Sequence, residues 1–324
     1  MKRAKFARKP VRVVIAAPDK PLNKTQSKRH DSKCAGFRIL SVRIVRRMGS
    51  TGSQSALAVE RSTTLPQTAS SDDHPAGGST DSWYLDPLAA VQKRNANLGF
   101  IRRWAADFQA ETLVKTDLFE EANGLDRILF DLDCGQRRTL GFDICVPTAV
   151  RAGKLGRGSG VGFMAADART LPLADESVDL IVSTSTLDHF DHPAEFEASL
   201  KDLGRVLRPG GRLLLTLDNP SNPTYQVLRL ACRIPGAPFS LGYTPSKKRL
   251  VENLESVGLR PLGWESLLHN PRLVSTLLFL AMRRTMGSHA EGAVSFALKS
   301  FAALERLPTR NLTSCFNAVC AEKL

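Results

Sequence analysis

Acidic and hydroxyl residues recur at one kind of place in this chain, just past a short apolar or β-branched run. Asp117 closes "TLVKTD", Asp143 closes "TLGFD" and Asp167 closes "VGFMAAD". Ser183, Thr184 and Ser185 end "VDLIVSTS", and Asp218 with Asn219 ends "RLLLTLDN". A carboxylate accepts hydrogen bonds more strongly than a neutral oxygen does, so these residues, if gathered, suit a ligand rich in donors. Of the six histidines, His189, His192 and His269 are the candidates to move a proton near neutral pH, and nothing in their spacing pairs them. The six cysteines form no Cys-x-x-Cys pair and have no histidine at zinc spacing, so no metal site is expected. Scattered thiols of this kind fit a reducing cytoplasm.

The elements that must position these residues can be read from Trp83 onward, where helical and strand patterns alternate as in an α/β layer fold with a parallel sheet. In a doubly wound sheet, ligands bind beyond the carboxyl ends of the strands. Asp117, Asp143, Asp167 and Ser185 fall at four such ends, so their convergence is an expectation of the fold. The spacing predicts helices over "LGFIRRWAADFQAE" (Leu98 to Glu111), "VPTAVRAGKL" and "PAEFEASLKDLGRVL", the last stopped by "RPGG". Another is predicted over "GLDRILFDLDC", where Leu125, Ile128, Leu129 and Leu132 share a stripe.

The run "DLDCG" (Asp131 to Gly135) looks like a cofactor loop, yet only "QRR" separates it from the next strand at Thr139. Parallel strands need a crossover of roughly 10–12 residues or more. The first parallel strand must therefore be Thr112 to Asp117, with "DLDCG" ending the crossover helix and Gly135 as its cap. The glycine cluster "GKLGRGSGVG" precedes a strand, whereas a phosphate loop follows one, so it reads as a connection.

The formal charge of +13 belongs to one end of the chain. Residues 1–50 hold fifteen Lys/Arg against Asp19 and Asp31, a balance of +13 that leaves zero for residues 51–324. Residues 1–82 are expected to be a disordered, basic, Ser-rich extension, and 83–324 the folded domain. Within "VRVVIAAP" the unbroken apolar core is shorter than the roughly 7–15 residues of a signal-peptide core. No apolar run reaches the ~20 residues of a membrane span. The nearest, "LVSTLLFLAM", reads as a buried helix or a membrane-surface face.

Three segments in one order carry a resemblance: "GFDI", "DARTLPLADESVDLIVSTSTLDHF" and "LGRVLRPGGRLLLTLDN". Residues 95–324 resemble the class I S-adenosylmethionine-dependent methyltransferases, in the type 11-like small-molecule group. The resemblance implies a Rossmann-like, doubly wound, mostly parallel seven-stranded sheet whose last strand, in "LPTRNLTSCFNAVCAEK", is antiparallel. It implies S-adenosyl-L-methionine as cofactor, with Asp143 on the ribose hydroxyls, Asp167 and the Ala168 backbone on adenine, and Ser183, Thr184, Ser185 and Leu187 lining the cofactor. Where the family has a glycine-rich loop, this chain has "KTDLFEEANG", like a divergent branch. There Thr116 and Asp117 are expected at the methionine end. The acids Glu120 and Glu121 either hold the ammonium or simply suit a helix N-terminus. His189 is the candidate base, and Asp218 and Asn219 face the acceptor.

Residues 224–310 are expected as additions covering the acceptor pocket, and the acceptor as a small molecule, a sugar or a lipid-linked group. Two other readings stand beside this one. One is an inactive scaffold that has lost its glycine loop, and the other an RNA methyltransferase that uses the basic tail.

Overall fold

The computed structural model describes residues 13–15, 86–124, 126–132, 138–231 and 241–324. Its strands are β1 (Val13–Ile15), β2 (Thr112–Thr116), β3 (Arg138–Asp143), β4 (Gly162–Ala165), β5 (Val178–Thr184), β6 (Leu207–Asp218), β7 (Leu259–Leu267) and β8 (Phe316–Lys323). They form one sheet in the order β1-β4-β3-β2-β5-β6-β8-β7. Every neighbouring pair from β1 to β6 is parallel, and β8 runs antiparallel to both β6 and β7. Counted from Thr112, the seven expected strands lie in the order 3-2-1-4-5-7-6. β1 comes from the stretch expected to be disordered and adds an eighth strand at the edge.

The helices are α1 (Pro87–Ala105), α2 (Phe119–Asn123), α3 (Val146–Leu155), α4 (Pro193–Val206), α5 (Pro223–Ala231), α6 (Lys247–Ser256), α7 (Arg272–Met286), α8 (Ala290–Ala302) and α9 (Arg310–Thr313). Two apolar cores sandwich the sheet. One joins Leu113, Leu180, Val182 and Leu214 to Phe100 and Ile101 of α1 and Ala149 of α3. The other joins Val114, Ile181, Leu213 and Leu215 to Phe196, Leu200 and Leu203 of α4 and Leu254 of α6. All seven residues of β5 are buried, as a central strand covered on both faces must be.

Three expectations need correction. The first helix starts at Pro87, where Asp86 caps Leu88 N at 2.9 Å, and it stops at Ala105 rather than Glu111. Among its described residues, the crossover from β2 to β3 holds the short α2 and a 3₁₀ turn at Leu129–Asp131 rather than the helix expected from Gly124 onward. The reason lies in Glu121, whose Oε1 accepts Ile128 N (3.3 Å) and Leu129 N (3.0 Å). These amides are satisfied from a side chain, so the segment needs no helical ladder. Ile128, Leu129 and Leu132 are buried all the same, so the periodicity marked burial and not conformation. Leu125 and Gly135 lie outside the described residues. Finally, a sheet strand, β7, runs through the region expected as acceptor-covering additions.

Candidate active site

β2 lies between β3 and β5 although its successor in the chain is β3, so the strand order reverses there. A crevice opens at such a switch point, beyond the carboxyl ends. Both strands that flank it end in a non-glycine residue with positive φ, Asp117 at 62° and Ser185 at 50°. Left-handed backbone at such residues is uncommon and collects at functional sites. Below these residues the two strands are tied through side chains. Thr116 Oγ1 donates to Ser183 Oγ at 2.9 Å and lies 2.7 Å from Thr186 Oγ1. Asp143, at the end of β3, accepts Leu118 N (2.9 Å) and Cys145 N (2.7 Å), one on each carboxylate oxygen. It thus anchors the residue after Asp117, and each oxygen keeps a lone pair for a ligand hydroxyl.

Sequence reasoning missed what holds the loop after β2. Lys115, fully buried in β2, sends its ammonium to Asp117 O (2.6 Å), Glu121 (3.0 Å) and Glu120 (3.3 Å). Glu120 is held from its other side by Lys93 of α1 (3.1 Å), which also meets Asp126 at 2.8 Å. Burial alone would lower the Lys115 pKa, but the charges of Glu121 and Glu120 outweigh it and the pKa is raised. Burial likewise opposes ionisation of Glu120, yet Lys115 and Lys93 bring it down to about 2. Both glutamates are therefore buried and neutralised by lysines. Neither is an exposed first-turn acid nor a free ligand for an ammonium group. A lysine within an apolar strand, followed five and six residues later by Glu-Glu, was the available signal, because buried lysines need partners.

Asp117 is left with excess negative charge around it. Burial, then Glu120 and Asp143, push its carboxyl up to about 7, against Lys115 and the Phe119 amide. Asp143 is raised too, by burial first, with its two backbone bonds opposing. Buried carboxyls that resist ionising gain most from a positive charge placed beside them.

The remaining expected residues are more committed to the protein. Asp167 forms a turn with Arg169 N (2.8 Å) and grips the Arg169 guanidinium (2.7 and 3.0 Å), which also reaches Glu195 at 2.7 Å. Ala168 and Leu187 are buried in the core on the α4 side. Thr184 Oγ1 is buried with no hydrogen-bond partner among the described residues. Ser185 Oγ donates to Asp188 at 3.1 Å, and Asp188 also accepts Asp218 N at 2.8 Å, bracing the exits of β5 and β6 together. Asn219 is locked into the chain by bonds to Asn311 O (2.7 Å), Ser314 Oγ (2.9 Å) and Asn317 (3.1 Å). His189 and His192 are exposed at the rim. His269 bonds Thr313 Oγ1 at 2.8 Å, and burial lowers its pKa. Tyr225 of α5, not foreseen, buries its ring beside this edge. Its hydroxyl pKa is raised by burial and by the nearby Asp218 and Asp188 charges.

Residues 122–215 match the "Methyltransferase domain" family. Among curated proteins, a Bos taurus protein named "Probable tRNA methyltransferase 9B" is 28% identical over 119 residues, 34% of this chain and 25% of that protein. A Mycobacterium demethylmenaquinone methyltransferase is 30% identical over 144 residues, 38% of this chain and 61% of that protein. The Methylococcus capsulatus malonyl-[acyl-carrier protein] O-methyltransferase is 42% identical over 74 residues, 23% of this chain and 25% of that protein. Thus the chain spans a minor part of the first of these relatives. A solved Pyrococcus horikoshii protein shares the fold, with TM-score 0.50 and 15% identity over 76% of this chain and 97% of that one. Residues 122–215 thus carry a methyltransferase domain, on a sheet whose strand order, reversal crevice and edge acids are similar to those of class I S-adenosylmethionine-dependent methyltransferases.

Proposed function

We propose that the chain transfers a methyl group from S-adenosyl-L-methionine to a small-molecule or lipid-linked acceptor. The observation that carries this reading is the placing of Asp117, in left-handed backbone at the end of β2, and Asp143, which anchors Leu118 N, together at the reversal crevice. When bound, the cofactor supplies an electrophilic methyl on a sulfonium. Asp143 would accept the ribose hydroxyls, Asp117 and Thr116 would face the methionine end, and the Ala168 backbone and Leu187 the adenine. The Asp188 clamp would hold Ser185 and the start of the 218–222 loop against the reacting end. A sulfonium leaves as a neutral thioether, so the donor side needs no acid. A base matters only if the acceptor must lose a proton, and exposed His189 is the candidate at the rim.

A lipid-linked acceptor is supported by the name of the demethylmenaquinone relative and by the apolar helices around the same edge. The basic tail and the tRNA-named relatives favour RNA as a second reading. Calorimetry with S-adenosylmethionine tests the first claim. Binding by the parent chain and at least a tenfold loss in Asp143→Ala supports it, as expected when a charged hydrogen-bond acceptor worth about 1.5–3 kcal/mol is removed. Transfer of tritiated methyl into an organic-extractable product, rather than into RNA, decides the acceptor class.

A further inference from the structure

The helices outside the sheet present an unusual outer surface. On α7, Ser275 and Phe279 face inward, while Val274 (56% exposed), Leu277 (59%) and Leu280 (51%) face solvent, followed on that side by Arg284. On α5, Tyr225 and Leu228 are buried and Val227 and Leu230 exposed; on α8, Val294 and Leu298 are buried and Phe296 is 74% exposed. α7 packs against both α5 and α8. Leu307 and Leu312, near α9, are exposed as well. Clustered apolar exposure of this kind marks an interaction surface.

Its location and its charge identify the partner. α5 follows β6 directly, and α7 follows β7, whose last residue pairs with Phe316 beside Asp218. The apolar helices therefore rise from the carboxyl edge of the sheet, where the crevice opens. No acid occurs between Glu265 and Glu291; Arg283 is paired with Asp86 at 2.7 Å, which leaves Arg284, Lys299, Arg306 and Arg310 against Glu291 and Glu305 over residues 274–313. A second copy docked face to face would bring Arg284 and its neighbours against their own kind. The chain's own first 50 residues, at +13, are repelled by the same basic rim. An anionic lipid bilayer satisfies both the leucines and the arginines. No helix among the described residues is long and apolar enough to cross a membrane, so the geometry is that of lying on the surface.

We infer that the outer faces of α5, α7 and α8 dock the carboxyl edge of this protein onto an anionic bilayer, with Val274, Leu277, Leu280 and Phe296 entering the headgroup–acyl boundary. This stands on the surface alone and does not depend on methyl transfer, although it would present the crevice to a bilayer-resident acceptor.

The test uses the full chain without cofactor. A Val274→Trp variant is mixed with vesicles of phosphatidylcholine with or without phosphatidylglycerol, with brominated acyl chains as quencher. The expected result is extra tryptophan quenching, over the parent chain, only in the anionic vesicles. Leu277→Glu/Leu280→Glu should lower the co-sedimented fraction about tenfold, since charged groups are driven from the apolar boundary. Both positions are exposed, and an unchanged circular dichroism melt verifies that the variant is folded. Sedimentation without quenching, which the basic tail alone would give, overturns the inference. So does a dimer by light scattering, formed without vesicles and dissolved by the double substitution, or binding that RNA displaces with no quenching at all.

Discussion

At the residue scale, the loop that follows β2 is held by charge. A glycine loop gains its shape from backbone freedom, whereas here Lys115 clamps Asp117, Glu120 and Glu121 from below. Removing one partner of a buried ion cluster leaves the others uncompensated, so Lys115→Met is expected to cost about 3–5 kcal/mol in urea unfolding. Acid should act on the same cluster. The Glu120 pKa is depressed from 4.5 to about 2, so its contribution is fully present above the unfolded value and is lost as pH falls from about 4.5 towards 2. That contribution is of order 3 kcal/mol, and Glu120→Gln should flatten that limb of the stability–pH curve.

Asp117 has the opposite sign. Its pKa rises from 3.8 to about 7, so its ionisation costs stability that is absent below pH 4 and fully felt above 7. Asp117→Asn keeps an acceptor for Phe119 N and tolerates positive φ. It should therefore be more stable than the parent at pH 8, by about 1–2 kcal/mol after solvent screening, and equal to it at pH 4. Cofactor binding should show the converse. If Asp117 faces the ammonium, parent affinity falls up to about tenfold per pH unit below 7, and calorimetry on Asp117→Asn gives a flat profile.

At the element scale, strand ends were legible because each combines a β-branched or apolar run with a polar stop. Asp143 follows "TLGF" and Ser185 follows "VDLIVST". The conformation between β2 and β3 was not legible, because Glu121 replaces the helical bond partners of Ile128 and Leu129 through space, and periodicity records only which side is buried. β7 was hidden because "LRPLGWESL" has a proline and half-buried positions, typical of an edge strand. Tyr225 and Asp188 could not be assigned, since their meaning depends on packing between β5, β6 and the 241–246 segment. That packing yields a further test. A Cβ at Gly242 would intrude on the Asp188 and Phe190 carbonyls, where Tyr243 N donates to Phe190 O at 2.5 Å. Gly242→Ala should lower stability by about 1–3 kcal/mol. It should also loosen the Ser185–Asp188–Asp218 clamp, read as faster hydrogen exchange at Asp218 N.

At the scale of the whole molecule, the crevice, the apolar helices and the chain's basic start divide the work. Residues 51–324 sum to zero charge, so if a cationic cofactor binds as proposed, its attraction would come from the two acids at the strand reversal and not from net charge. Ligand that binds only the native state stabilises it by mass action, by about 2.7 kcal/mol at a hundred times Kd. For a body of this size that corresponds to roughly a 5–10 °C rise in Tm. S-adenosylmethionine should produce that shift, Asp143→Ala should abolish most of it, and NAD should produce none. S-adenosylhomocysteine lacks the sulfonium charge, so at pH 8 its shift should be smaller than that of S-adenosylmethionine if the Asp117–Asp143 pair is what holds the cation. Equal shifts would mean that the pair reads only the ribose and ammonium. No shift with either, at millimolar concentration, would leave the sheet as a binding scaffold whose lysine-clamped loop has closed the old cofactor entrance.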